Sequence, residues 1–334
     1  MKAIILFNAF QPRPGRRGET VSESGQETIA RQAGEALASG GYRVRLLKVR
    51  SDVNDVVASI RRERPGVVVN LCEAFRGNPG FEAQVAGLLE LLGVPFTGNG
   101  SAALSQCRDK FRTKLILSAY GVPTPPGWLV EDGRILLKGA EFPLIVKPNN
   151  EDAGIGIYPS SVVRTRRELK RQTERVLKAY AQPALVESFI EGREISASVV
   201  GHHVARVLPL SEILFRNYPA GLPRIVGYDA KWRVAHRAYS GTVPSCPARV
   251  PSVLRRGIED AALRAWHALG LRGYARVDFR VNGRGKFFVL EVNPNPDASR
   301  DAGLARSLEA AGMAYEDFWV QQAGLAQKKG TEFA

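Results

Sequence analysis

Arg276-Val277-Asp278-Phe279 and Leu290-Glu291-Val292-Asn293 flank the run Asn282-Gly283-Arg284-Gly285, and both outer runs alternate polar and apolar side chains. Alternation with a period of two reads as half-buried strands, and Asn-Gly between them reads as a hairpin turn. Arg276 and Asp278 then share one strand face, and Glu291 and Asn293 share one face of the partner strand. If the two strands pair across that turn, two carboxylates and an amide oxygen converge beside one guanidinium. Oxygen donors of that kind suit Mg²⁺, which takes a few carboxylates together with substrate phosphates. The same pattern also fits a hairpin with a charged, solvated face, and the hairpin alone does not choose.

The rest of the chain sets the context. Its 334 residues suffice for two or three domains, and 44% hydrophobic with 24% charged residues is an ordinary globular composition. No apolar run reaches the length of a membrane span, and Met1-Lys2-Ala3-Ile4-Ile5-Leu6-Phe7 reads as a first buried strand rather than a leader. Cys72, Cys107 and Cys246 lie far apart, without metal or redox spacing, so a reducing, cytoplasmic setting is expected. His202-His203 are adjacent, and neighbours on a strand face opposite ways, which argues against zinc. The net charge of +14 admits nucleic acid or acidic substrates as partners. Its basic residues are scattered, though, and the densest group (Arg164, Arg166, Arg167, Lys170, Arg171, Arg175, Lys178) falls in a helical stretch with Glu168 and Glu174. A solvated helix face explains that group, and nucleic acid is disfavoured.

Outward from the hairpin, the first hundred residues alternate strand and helix. Strands are expected at Lys2–Asn8, Tyr42–Val49, Val67–Leu71 and Val94–Thr97, with helices at Glu23–Ser39, Val53–Arg64 and Glu82–Leu92. Such βαβ repetition is the mark of a parallel sheet in an α/β protein. Gln11–Ser24 is then a long loop at the strand C-terminal edge, where ligands bind, or merely a mobile surface loop. Helices follow at Ser101–Cys107 and Lys110–Ala119, with strands at Gly127–Val130 and Pro143–Lys147. Next come a basic helix Thr165–Ala179 and strands at Ala184–Glu187, Glu194–Val200 and His203–Leu210. A polar loop from Asn217 to Val243 leads to a helix Val253–Leu269, and beyond the hairpin lies a helix near Gly303–Ala311. Residues after Gln327 read as a frayed tail.

Two further stretches carry chemistry. Phe142-Pro143-Leu144-Ile145-Val146-Lys147-Pro148 delivers a lysine at the end of an apolar strand. The loop that follows holds Gly154 and Gly156, whose backbone N–H groups could cover a polyphosphate. Lys147 could equally be an ordinary strand-end lysine. Leu185-Val186-Glu187-Ser188-Phe189-Ile190 then runs into an irregular segment whose free backbone groups could meet an adenine edge, and Glu194 could take a ribose diol. A plain strand–turn–strand connection fits those residues as well.

Together these pieces resemble the ATP-grasp superfamily, and within it the D-alanine–D-alanine ligases. The resemblance runs through Glu82–Gly98, Asp109-Lys110 with Lys114, Val146-Lys147-Pro148, Val186-Glu187 to Glu194, Tyr228-Asp229-Ala230-Lys231, Arg276–Phe279 and Leu290–Asn293, in matching order over nearly the whole chain. It implies an N-terminal parallel-sheet domain over residues 1–100. Two α+β subdomains, residues 101–190 with the phosphate loop and 191–330 with the metal site, would enclose the nucleotide. Lys110 and Lys147, with Gly154 and Gly156, would hold ATP phosphates, Glu187, Ser188, Phe189 and Ile190 the adenine, and Glu194 the ribose. Asp278, Glu291 and Asn293 would ligate two Mg²⁺ ions, with Mn²⁺ an alternative. Lys231 would lie near the nucleotide and Arg276 would stabilise the tetrahedral intermediate. The implied reaction makes an acylphosphate from a small carboxylate and lets an amine attack it, in an enzyme often found as a homodimer.

The substrate half departs from the family pattern. A glutamate, a serine and a tyrosine expected around the first amino acid fall at Thr20 (with Glu19 one residue away), Ala153 and Trp232, and Gly154 stands where a serine is usual. After Asn293, Asp297 replaces a glycine and Ala302 replaces a serine that would receive the second carboxylate. A carboxylate at Asp297 repels another and attracts a cation, though it could also be the N-cap of a helix over Ala298–Ala311. Losing the hydroxyl costs about 1–3 kcal/mol of binding. The expectation is therefore an ADP-forming carboxylate–amine ligase with altered amino-acid or peptide substrates. A genuine D-alanine–D-alanine ligase is one alternative. A non-catalytic nucleotide-binding or nucleic-acid-associated basic protein is the other.

Overall fold

The structure is a computed structural model and describes residues 1–9 and 25–330. The expected loop Gln11–Ser24, with Glu19 and Thr20, lies outside the described residues. The Val/Ile-rich runs β1 (Lys2–Asn8), β2 (Arg43–Val49) and β3 (Val67–Asn70) form a parallel sheet in the order β2-β1-β3, joined by α1 (Gln26–Ser39) and α2 (Val53–Glu63). Helix α3 (Glu82–Leu91) follows. The strand expected at Val94–Thr97 reduces to one bridge, Val68 to Phe96, because Pro95 has no N–H to extend a ladder.

Helices α4 (Ser101–Arg108) and α5 (Lys110–Ala119) meet at Asp109, whose side chain accepts the Arg112 N–H at 3.0 Å and caps α5. A four-stranded antiparallel sheet follows, ordered β4 (Gly127–Val130), β7 (Ala184–Ser188), β5 (Leu144–Pro148), β6 (Val162–Val163). The basic helix α6 (Arg166–Tyr180) covers it with Leu169 and Val176 and turns its arginines to solvent.

The largest sheet runs β11 (Thr242–Ser245), β10 (Ser211–Phe215), β8 (Gly192–Gly201), β12 (Gly273–Asn282), β13 (Phe287–Asn293), with β9 (Ala205–Val207) beside β8. The expected strand His203–Leu210 shrinks to β9, and Pro209 separates it from β10, which sequence reading missed. Inside the expected loop Asn217–Val243 the chain forms α7 (Tyr228–Trp232) and α8 (Arg237–Ser240). Helix α9 (Ser252–Ala268) packs Ala261, Ala262, Ala265 and Trp266 under β8 and β12.

The last two helices are α10 (Gly303–Ala310) and α11 (Tyr315–Gly330). Helix α11 was not expected, and it runs on to Gly330, past the start of the tail expected after Gln327. It buries Phe318, Trp319 and Ala323 against α1 and the first sheet, in one core with Tyr274 of β12. Among the described residues no helix is long and apolar enough to cross a membrane.

Candidate active site

The hairpin pairs Arg276 with Asn293, Val277 with Val292 and Asp278 with Glu291, and the register shifts immediately after Asp278. Val277, Phe279, Val281, Val289 and Val292 turn into the core on α9, so the polar residues take the opposite face. Arg276 grips Asp278 with two bonds, Nε to Oδ1 at 2.8 Å and an η-nitrogen to Oδ2 at 2.9 Å. Burial would lower the Arg276 pKa, but Asp278, Glu291 and Asp297 outweigh it and keep the guanidinium charged. Glu291 lies 3.3 Å from Lys110. Burial works against its ionised form, and Lys110, Lys231, Lys147 and Arg276 more than compensate, holding it well below the ordinary carboxylate range. Lys231 and Arg276 therefore share one field with the expected metal ligands.

Among the described residues no three His, Cys, Asp or Glu side chains form a ready metal cage. A divalent ion here would rely on Asp278, Glu291 and the Asn293 oxygen, completed by oxygens from outside the protein. That donor set is all hard oxygen and carries two charges, so it fits Mg²⁺ bound with phosphates and does not fit zinc.

A cationic wall faces the hairpin. Lys110 begins α5, and its ammonium, 3% exposed, reaches Asp152 at 2.9 Å and the Glu151 carbonyl. One turn later Lys114 contacts Glu187, which also holds Lys147 at 2.5 Å. Lys147 stands diagonally across from Glu187 on the β5–β7 pair. Gly127 on β4 leaves the room, since a Cβ there would stand 2.9 Å from Lys114 Cε. Burial and the neighbouring Lys147 lower the Lys114 pKa against the pull of Glu187. Glu187, opposed by its own burial, is kept ionised by the two lysines. Two ammoniums share one carboxylate, which leaves a net positive charge for a phosphate.

Between wall and hairpin runs the loop Asn149–Ile157. Ala153, Gly154 and Gly156 have φ of +56°, +75° and +77°, and a Cβ on Gly156 would meet Pro148 at 2.5 Å. Such a turn suits an arc of backbone N–H groups around an anion. The loop is fastened to α7: the Tyr228 N–H donates to the Ile157 carbonyl, and Trp232 Nε1 donates to the Ala153 carbonyl, each at 2.9 Å.

Other expected residues are more committed than the sequence suggested. The Ser188 and Phe189 N–H groups already donate to the Pro126 and Pro143 carbonyls at 2.9 and 3.0 Å, so they are not free for an adenine. Among the described residues nothing takes the Ile190 N–H. Phe189 lies 5.6 Å from Arg280, which pairs with Glu194 at 2.8 Å. Burial nonetheless raises the Glu194 pKa. Asp297 is exposed and accepts the Ser299 N–H at 2.9 Å in a local turn. It does not cap the helix, because α10 starts at Gly303 with Ala302 at its cap position.

Sequence reading gave no role to Lys114, Asp152, Arg280 or Glu82. Lys114 follows Lys110 by four residues and so shares its helix face, a signal that was available. Arg280 continues the 276, 278 alternation. Glu82 carried no signal. It accepts from the Asn295 side-chain amide at 3.0 Å, and burial, with Glu73 and Asp152 nearby, raises its pKa to about 8 despite Asn295 and Arg108. Between the unfolded value near 4.3 and about 8 the folded chain holds a proton that the unfolded chain has lost. Stability therefore falls as pH rises through that window and levels off above it. Glu82→Gln should flatten the fall, which thermal melts from pH 5.5 to 8.5 would read. Parallel slopes in parent and variant would refute the assignment.

Buried lysines facing a paired Asp278 and Glu291 accord with the class that the comparisons show: the chain is an ATP-grasp enzyme, a C–N bond-forming, ADP-forming ligase. The family model described as "D-ala D-ala ligase C-terminus" matches residues 131–322. A D-alanine–D-alanine ligase of Desulforudis audaxviator is 34% identical over 88% of this chain and 91% of its own. One from Gluconobacter oxydans is 30% identical over 93% and 98%. An uncharacterized protein, y4sG, of Sinorhizobium fredii is 32% identical over 75% and 71%. The Bacillus anthracis D-alanine–D-alanine ligase complexed with ATP matches the fold over 100% of both chains, with a TM-score of 0.75 at 22% identity. The chain belongs to the D-alanine–D-alanine ligase family, whose members use ATP and a divalent metal.

Proposed function

We propose that this protein joins a small carboxylate to an amine other than the D-alanine pair, through an acylphosphate. The observation that supports it is the pairing of Asp278 with Glu291 opposite three buried lysines, beside a substrate end that carries Asp297 and Ala302. A carboxylate is a poor electrophile until phosphorylated, and phosphoryl transfer needs charge neutralisation more than acid–base help. Lys110 and Lys147 neutralise phosphate oxygens while the loop at Gly154 and Gly156 covers them. Asp278, Glu291 and Asn293 would hold two Mg²⁺ ions, which supply Lewis-acid charge at the transferring group. Arg276 then meets the oxyanion formed as the amine attacks, and Lys231 adds charge from α7. Glu187 serves to pair the lysines, while Ile190 and Glu194 are the contacts left for base and sugar.

Asp297 and Ala302 support a nucleophile that carries an extra positive charge or lacks a free carboxylate, with Trp232 nearer the acid. The names of the relatives favour D-alanine on both sides as the second reading. An ADP-release assay across paired acids and amines separates them: a pair other than D-alanine with D-alanine is expected to give the highest kcat/KM. D-alanine with itself as the best pair would overturn the specificity. The units of this reading are residues 1–100, 101–190 and 191–330, acting in the cytoplasm and as a homodimer. A nucleic-acid role is not favoured, because the basic residues of α6 form the solvent side of an amphipathic helix. Retention on DNA or RNA that weakens steeply with salt would reverse that judgement.

A further inference from the structure

The segment that leaves β13 is held by residues far away in sequence. Asn293 Oδ1 accepts the backbone N–H of Asn295 at 3.1 Å, and the Asn295 side-chain amide donates to Glu82 Oε1 at 3.0 Å, at the start of α3. Asn99, 3% exposed, donates its amide to the Pro294 carbonyl at 2.6 Å and to the Tyr274 carbonyl at 2.9 Å, and accepts the Arg272 N–H at 2.7 Å. Residues 293 to 295 are thus tied to the chain that follows the first sheet, not only to their own hairpin.

We infer that Asn295, anchored by Glu82, is a positioning residue that fixes the Asn293 amide with its oxygen toward the metal. The inference rests on reading Asn293 as a metal ligand. An amide presents either an oxygen or an NH₂ group, and only the oxygen binds a hard cation. The Asn295 backbone N–H must face an acceptor, so it selects the oxygen. That oxygen has a second lone pair left for the ion. The backbone donor is useful only while residue 295 stays in place, and the Asn295 side chain gripping Glu82 keeps it there. Helix α3, which starts at Glu82, thereby sets the geometry of a ligand on β13. Ligand-orienting partners of this kind are worth roughly 10–100-fold in metal affinity.

The test uses the full chain and Mn²⁺ as probe, its binding in the presence of ADP followed by electron paramagnetic resonance, beside the Mg²⁺ activation constant for ADP release. Asn295→Ala and, from the other side, Glu82→Ala should each weaken Mn²⁺ binding and raise the Mg²⁺ constant about tenfold. Glu82→Gln, whose amide oxygen still accepts from Asn295, should recover most of the loss. Folded variants, judged by circular dichroism, that keep Mn²⁺ binding within about twofold of the parent would overturn the inference. Asn293→Ala separates the two readings. If it weakens Mn²⁺ binding while Asn295→Ala and Glu82→Ala do not, the positioning role fails and the ligand assignment stands. If Asn293→Ala leaves Mn²⁺ binding intact, the ligand assignment fails and the inference with it.

Discussion

Asp278→Asn combined with Glu291→Gln is expected to lower kcat for ADP release by about 10³-fold or more, in a protein that still folds. The two carboxylates face each other across β12 and β13 and supply the only anionic oxygens of the expected metal set. Their amide replacements keep size and some hydrogen bonding but remove both charges. A transferring phosphoryl group concentrates negative charge, and a low-dielectric cleft magnifies any loss of neutralisation. The fold should tolerate the change, because Lys110 retains Asp152 and the Glu151 carbonyl. Arg276 is less deeply buried than Lys110 and keeps the side-chain oxygen of an asparagine at 278 as an acceptor, which limits its loss. A coupled ADP assay reads the rate, and circular dichroism checks the fold. Turnover near the parental level would mean that the metal assignment is wrong.

How much of this was legible from sequence differs by element, for physical reasons. The hairpin was readable because each of its strands buries one face, so the period-two pattern fixes register and direction together. The lysine near the end of β5 was readable because it closes an apolar run, although the strand itself continues through Pro148. Helix α11 was missed although Tyr315, Phe318, Trp319, Gln322, Ala323 and Ala326 recur at helical spacing. The polar end Gln327-Lys328-Lys329 masks that period. The Glu82–Asn295 bond could not be read at all, since 213 residues separate its ends and no local pattern links them. That the Ser188 and Phe189 N–H groups are already engaged was hidden for a related reason. Whether a loop N–H is free depends on which carbonyl folds against it, here Pro126 and Pro143, and no local pattern reports that.

Glu187→Gln should be the most destabilising single change in the site, at about 3–5 kcal/mol. The Glu187 side chain is 1% exposed and sits between Lys114 and Lys147, themselves nearly buried. Glutamine fills the same space, so no cavity forms, and the cost comes from two buried ammoniums left without a counter-charge. Two consequences distinguish this from a general packing defect. Lys114 already has a lowered pKa from burial and from Lys147, and losing Glu187 lowers it further. The variant's deficit should therefore shrink as pH rises and Lys114 sheds its proton, since a neutral amine needs no partner. Adding Lys114→Met to Glu187→Gln should recover part of the stability for the same reason. Anions supply the second check. If these lysines face the phosphates, then inorganic triphosphate should raise the melting temperature of Glu187→Gln more than that of the parent. A variant that melts with the parent, or that ignores both pH and triphosphate, would show that the three charges do not form the wall on which phosphate binding depends.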